Sequence, residues 1–417
     1  MVIYKFGGAS VRSAGSIENA ARIVSSCNED LIVVVSAFGK TTNALEDILD
    51  GWFRQDDKRF RMLDDCRAYH TDILNELFGG SKVPVYNEVL SIFEELLNKI
   101  RSTHSGNFDY EYDQFVSAGE KLSTKIVSSY FNSINVANRW VDSASWLITN
   151  ETYREASVKW EQSGDEARKR FADDSCRIFV TQGFTGGTKN GHATTLGREG
   201  SDYTAAILAN LLEASKVIVW KDVPGILTAD PKLFSGYEML PELSYKDAIE
   251  LSFFGAKVIH PKTVKPLQNK NIPLYVKSFE NPDVPGTVIH ETKGPGLIKP
   301  VYIIKKDQLL VSLMPKDHSF VVEGALSEIF ASFFRNRIKV NLIQNSAVNI
   351  SLCIDNPGSL VFELMEQLKP DFRVLYNDRL DLVTVRYYND EAVERMTRGR
   401  SILLEQRTRN TIRFVLK

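Results

Sequence analysis

The sequence predicts an α/β fold, a largely parallel sheet flanked by helices and followed by small α+β units. Three observations predict it. Short apolar runs without alternation, such as Ile32-Val33-Val34-Val35, read as strands buried on both faces of a parallel sheet. The first two strands, Val2 to Phe6 and Leu31 to Val35, stop at small residues, Gly7-Gly8 and Ser36-Ala37-Phe38-Gly39. From Val301 the pattern changes to strand, helix, strand, strand, helix, strand.

Between these landmarks, Asn43 to Ile100 is polar and helix-rich, and Val89, Ile92, Phe93, Leu96 and Leu97 recur as on one helix face. It is expected to form a helical lobe over the sheet. The sheet resumes at Arg177 to Thr181 and Lys216 to Trp220, with a glycine-rich stretch and a helix from Thr204 to Glu213 between them. A turn is expected at Asp222-Val223-Pro224-Gly225, and the Pro- and Gly-rich Asn281 to Pro300 places a domain boundary near Pro300. Beyond it, Leu326, Ile329, Phe330, Phe333 and Phe334 form one core stripe, and Val361, Leu364, Met365 and Leu368 another. A second, shorter unit reads as a strand from Leu380 to Tyr388, a helix from Asp390 to Arg398, and strands at Ile402 to Gln406 and Thr411 to Leu416.

A chain of 417 residues exceeds one compact core, so two or three domains are expected. The 43% hydrophobic and 25% charged fractions are those of a soluble globular protein, and exclude disordered, collagenous and membrane classes. A formal charge of -2 supplies no global field for nucleic acid, so an anionic ligand must be met by local cations. Cys27, Cys66, Cys176 and Cys353 are widely separated and indicate neither a zinc site nor a disulfide framework. With no basic or long apolar stretch before Lys5, no secretion signal is expected, and the reading is cytoplasmic.

Lys5-Phe6-Gly7-Gly8 sets a cation and two glycines at the carboxyl end of the first strand, where open α/β sheets bind ligands. Glycine lets backbone N–H groups approach phosphate oxygens, and the lysine adds a point charge. A tight turn with a solvated lysine is the plain alternative. Gly183-Phe184-Thr185-Gly186-Gly187 and Thr194 to Tyr203 lie between two strands, the second leading into a helix whose N-terminus favours an anion. Arg198 beside it can hold a carboxylate through two parallel hydrogen bonds. For Ser201 and Asp202, helix capping is the competing reading.

These residues resemble the amino-acid kinase superfamily and, within it, the aspartate kinases. The resemblance rests on Lys5-Phe6-Gly7-Gly8, Ser36 to Asn43, Ser117-Ala118-Gly119-Glu120, Thr181 to Phe184, Thr195 to Ala205, Trp220 to Gly225, Thr228 to Pro231 and Phe254 to Pro261, all in the family's order. It covers the chain to about Val288, and the small units after Val301 look like the paired ACT domains of the same enzymes. It implies a catalytic domain over residues 1–296, a first ACT-like unit over 301–379, and a shortened second over 380–417, with homodimerisation through the latter two. No fused homoserine dehydrogenase module is expected.

The resemblance implies transfer of the γ-phosphoryl group of ATP, with Mg²⁺, to the side-chain carboxylate of L-aspartate. Lys5 and Lys257 would meet the phosphates together with Gly7 and Gly8, and Lys221 would be a third cation. Ser36, Glu120, Phe184, Arg198 and Ser201 would surround aspartate, Asp202 would organise the reacting groups, and Asp222, Thr228 and Asp230 would lie near the nucleoside. No metal ligand is assigned. His192 and His260 are read as packing residues. The alternatives are another amino-acid kinase or a catalytically inactive ACT-dimer sensor. The chain departs from the common pattern at Ala9 and Lys221 (usually threonine), Leu227 (tyrosine) and Glu199 (glycine). In lysine-sensitive relatives an aspartate commonly stands at the place of Asn341 and a glutamate at that of Ala347, so weak or absent lysine control is expected.

Overall fold

The computed structural model describes residues 1–80, 83–173, 175–256, 259–292, 299–317, 319–356, 358 and 360–417. The chain divides into two compact units, the first comprising Met1–Ile226, Met239–Ile249 and Val258–Lys293, the second Leu227–Glu238, Glu250–Lys257 and Gly294–Lys417.

In the first unit the described residues form an eight-stranded sheet in the order Glu242–Ser244, Thr287–His290, Leu274–Ser278, Lys216–Lys221, Val2–Phe6, Leu31–Val35, Ile178–Gln182, Arg139–Val141. Every neighbouring pair is parallel except Leu274–Ser278 with Thr287–His290. The central strands are buried throughout, as their unbroken apolar runs require. Their register aligns the strand ends. Phe6 pairs with Val35 on one side and Trp220 on the other, and Val35 with Gln182. The residues after these strands, Gly7, Ser36, Gly183 and those from Lys221 onward, therefore emerge along one sheet edge.

The helical lobe consists of Thr41–Phe53, Lys58–Phe78, Pro84–Arg101, Phe108–Val116 and Ala118–Ser133. Val89, Ile92, Phe93 and Leu96 are buried in one core cluster with strand residues Val33 and Val35, and Leu97 packs at its margin. On the other side, Gly200–Leu211 packs on Val2–Phe6. This helix begins four residues before the expected Thr204, because Gly200 to Tyr203 are already helical.

The second unit carries a six-stranded antiparallel sheet ordered Val340–Asn345, Ile350–Asp355, Val301–Pro315, Phe372–Arg386, Thr411–Leu416, Ile402–Arg407. Two 15-residue strands run through its whole length. Val301 to Lys305 pairs with Leu382 to Arg386, which in turn pairs with the last strand, so the first long strand supplies a partner to the short C-terminal unit. Val361, Leu364, Met365 and Leu368 are core. The other stripe needs correction: Ile329 and Phe333 are core, but Phe330 is 36% and Phe334 84% exposed. A sheet of this size covers the middle of a helix face and leaves its flanks bare. Among the described residues no helix is long and apolar enough to cross a membrane.

Candidate active site

Lys5 sits inside the central strand and is only 6% exposed. An ammonium so placed needs an anion. Asp202, in the first turn of the Gly200–Leu211 helix and fully buried, supplies it, with Lys5 Nζ 2.6 Å from Oδ1. That contact is a close ion pair without hydrogen-bond alignment. Lys221, at the end of the neighbouring strand, donates to Oδ2 at 3.2 Å. Burial alone would raise the Asp202 carboxyl. The charges of Lys5 and Lys221 outweigh it and bring the group down to about 2. Burial likewise opposes the charged form of Lys221, and the Asp202 carboxylate more than compensates, so its pKa is raised. Asp202 makes no cap; the helix is entered through Glu199, whose side chain makes no cap bond either. The capping alternative is therefore not realised.

The loops around this ion triad approach one another too closely for side chains. A Cβ at Gly8 would lie 2.8 Å from the Ala37 carbonyl and 2.9 Å from that of Gly39, and the Gly39 N–H donates to the Gly8 carbonyl at 3.0 Å. The Lys5-Gly7-Gly8 turn and the Ser36–Gly39 turn are thus locked together, with Ser36 half-buried between them. A Cβ at Gly183 would meet Ser201 Cβ at 2.5 Å, which presses the Gly183-Phe184 turn onto the start of the Gly200–Leu211 helix. Phe184 holds a left-handed backbone (φ 63°), secured by its N–H donating to Thr204 Oγ1 at 3.0 Å. Glu199 is left-handed too (φ 56°), so this chain keeps the backbone of a glycine position without the glycine.

Glu120 is the third charged element. It lies in the first turn of Ala118–Ser133, 3% exposed, and its Oε1 accepts the Ala37 N–H at 3.3 Å. Its Oε2 has no hydrogen-bond partner among the described residues. Burial pushes the carboxyl up to about 8, against the smaller pull of the Ala37 N–H and of Lys5.

The structure thus brings Lys5, Gly7, Gly8, Ser36, Glu120, Phe184, Ser201, Asp202 and Lys221 into one unit. Arg198 is in the same unit, exposed, with no side-chain partner among the described residues. Asp222 is exposed at the end of the Lys216–Lys221 strand. Thr228 and Asp230 belong to the second unit, where both serve local turns: Thr228 Oγ1 accepts the Glu238 N–H, and Asp230 Oδ1 that of Lys232, each at 2.9 Å. Lys257 lies outside the described residues. Among the described residues no group of three His, Cys, Asp or Glu side chains is placed to hold a metal ion. His192 packs against Tyr110, and His260 caps the Pro261–Gln268 helix by accepting the Lys262 N–H. The sequence did not single out the fully buried Asp113, which nothing but its place in a helix distinguishes.

A parallel sheet whose strand ends gather a buried and a half-buried lysine, a helix-borne aspartate and close-packed glycine turns defines an α/β enzyme built to receive an anionic substrate. Residues 1–278 match the model of the Amino acid kinase family. Lysine-sensitive aspartokinase 3 of Escherichia coli (strain K12) is 32% identical over 396 residues, covering 92% of this chain and 86% of that protein. Aspartokinase 1, chloroplastic, of Arabidopsis thaliana is 32% identical over 377 residues, 88% of this chain and 65% of that one. The crystal structure of E. coli aspartokinase III in complex with aspartate and ADP superposes with a TM-score of 0.84 at 29% identity, covering 100% of this chain and 96% of that one. The chain belongs to the aspartokinases of the amino acid kinase family.

Proposed function

We propose that this chain transfers the γ-phosphoryl group of ATP to the side-chain carboxylate of L-aspartate, giving 4-phospho-L-aspartate, in the cytoplasm. The observation that carries the reading is the Lys5–Asp202–Lys221 ion triad, with Lys5 and Asp202 buried, in one unit with a Glu120 oxygen that lacks a partner among the described residues. The acceptor carboxylate is ionised at neutral pH and needs no base, which leaves positioning and charge neutralisation as the work of the protein. Glu120 Oε2 receives the α-ammonium of aspartate, and Arg198 grips the α-carboxylate, with Ser36, Phe184 and Ser201 around the substrate. Lys5, held ready by Asp202, takes up phosphate charge as it grows, at the Gly7-Gly8 turn and with Lys257. Asp222, Thr228 and Asp230 are assigned to the nucleoside side. Mg²⁺ would enter with the nucleotide and help offset phosphate charge, and no residue of the chain is assigned to hold it.

The experiment that tests the substrate geometry is Arg198→Ala. Its partner does not react, so the variant should raise the aspartate KM about 10- to 100-fold with kcat within a few-fold of normal. An unchanged KM would remove Arg198 from the substrate site.

The domain division at residues 1–296, 301–379 and 380–417 is retained as part of this reading, and the two ACT-like units are assigned to pairing with a second copy. Phe334, Phe320 and Phe362, exposed by 84, 66 and 59%, support that assignment.

Lysine should inhibit weakly or not at all. Asn341 is 7% exposed and its amide is fully engaged: Oδ1 accepts from Lys305 Nζ at 2.8 Å, and Nδ2 donates to Gln308 Oε1 and Asp355 Oδ1, each at 2.9 Å. The chain's own ammonium already uses that oxygen, and Ala347 contributes no charge. A free lysine ammonium would lose its hydration without an anionic partner. Kinase rate at subsaturating aspartate, titrated with lysine, threonine and methionine, measures this; strong inhibition by submillimolar lysine would show an effector site built from other residues. Asn341→Asp combined with Ala347→Glu should introduce sensitivity.

A further inference from the structure

We infer that Asp113 is a positioning residue that ties the Arg198 turn to the helix carrying Glu120, an inference that rests on the substrate roles given to those two residues above. Asp113 projects from the Phe108–Val116 helix and is fully buried, yet it touches none of Lys5, Asp202 or Lys221. Its two oxygens collect four contacts from two other segments. Oδ1 accepts the Thr195 hydroxyl at 2.7 Å and the Arg154 N–H at 3.1 Å, and Oδ2 accepts the Thr195 N–H at 2.9 Å and the Arg154 N–H at 3.0 Å. Burial pushes the carboxyl up to about 6 despite these donors.

The neighbouring Gln114 repeats the clamp two residues earlier in the strand, accepting the Ala193 N–H at 3.0 Å and donating to its carbonyl at 2.8 Å. Arg154 returns to the same helix through its side chain, with Nη1 3.3 Å from Asp109 and its guanidinium 4.5 Å from the Tyr112 ring centre. The backbone of the turn that leads to Arg198 is also held. Leu196 N–H donates to the Phe184 carbonyl at 2.9 Å, and Gly197 is left-handed with the Arg154 carbonyl beneath it, 3.2 Å from where a Cβ would stand. The strand entering the turn and the floor under it are therefore both held by one carboxylate. At the other end, the Phe108–Val116 helix passes through Ser117 into Ala118–Ser133, and Glu120 stands seven residues from Asp113. The turn that bears Arg198 and the helix that leads to Glu120 are thus tied to each other, which sets the spacing between the groups for the substrate's α-carboxylate and α-ammonium.

An asparagine of the same size would keep one acceptor and turn an NH₂ toward the Thr195 and Arg154 donors. Asp113→Asn should raise the aspartate KM about tenfold while kcat and the ATP KM change less than about twofold, a split that general destabilisation does not produce. In the Arg198→Ala background the same substitution should have no further effect on the aspartate KM. Equal effects in both backgrounds, or a parallel loss in kcat and ATP KM, would overturn the tether. If Asp113→Asn does not fold, Thr195→Val, which removes only the 2.7 Å hydroxyl bond, should raise the aspartate KM about threefold, and a wild-type KM there would overturn it as well. Should Arg198→Ala alone leave the aspartate KM unchanged, the substrate role of Arg198 fails and the tether with it; should Arg198→Ala raise it while Asp113→Asn does not, only the tether fails.

Discussion

Lys5→Met should lower kcat by roughly 10²- to 10³-fold at saturating ATP while leaving the aspartate KM nearly unchanged. The reason is differential: charge on the transferred group is best neutralised as it moves, so an ammonium aimed at it contributes most in the transition state. The Lys5 ammonium is in place beforehand because Asp202 holds it at 2.6 Å inside the sheet. The same substitution should destabilise the fold. Breaking a buried ion pair costs about 3–5 kcal/mol when the remaining charge is uncompensated. Here Lys221 still bonds the other oxygen, so the loss should fall at or below the low end of that range. Combining Lys5→Met with Asp202→Asn should recover stability without recovering turnover. Near-normal kcat for Lys5→Met would show that its ammonium serves folding alone.

Glu120→Gln is the second large effect, and its two consequences have opposite signs. Burial raises the Glu120 carboxyl from 4.5 to about 8, so across that interval the folded chain holds a proton that the unfolded chain has released. Glu120's contribution to stability therefore falls as pH rises from 4.5 toward 8 and levels off above. Glutamine has no such dependence. The ligand-free variant should be more stable than the wild type by about 1–3 kcal/mol at pH 8.5, with the difference shrinking toward pH 5. Its aspartate KM should rise about 10- to 100-fold, because the α-ammonium loses a charged partner. Thermal unfolding of both proteins across this pH range checks the first consequence. A difference that does not vary with pH would mean that Glu120 is not a buried titrating group.

What the sequence revealed and what it concealed divide along physical lines. Val2–Phe6 and Leu31–Val35 were legible to the residue because strands covered on both faces are continuous apolar runs, and because glycines must follow where loops touch, as Gly8 does against Ala37 and Gly39. Lys5, Arg198 and Asp202 stood out beside glycine-rich turns, and Glu120 through the family resemblance. The partnership of Lys221 with Asp202, 19 residues away, did not, because it depends on how the Gly200–Leu211 helix packs on the strand that follows it. Thr228 and Asp230 were legible as motif residues, but their grouping with the C-terminal sheet is a tertiary fact. Phe330 and Phe334 follow the helical period of Ile329 and Phe333, and periodicity alone does not say how wide a face the sheet will cover. Asp113 was invisible for the opposite reason: one aspartate in a polar helix is ordinary until the chain folds Thr195 and Arg154 onto it.

The central claim is tested most directly by incubating the purified chain with Mg²⁺, ATP and L-aspartate in the presence of hydroxylamine, which traps the acyl phosphate as the hydroxamate, beside parallel reactions with L-glutamate, N-acetyl-L-glutamate, carbamate and nucleoside monophosphates. The expected result is ATP-dependent aspartyl hydroxamate, with far less product from glutamate and none from the others. Equal or better turnover of glutamate or another acceptor, or binding of an amino acid with no turnover at all, would contradict it.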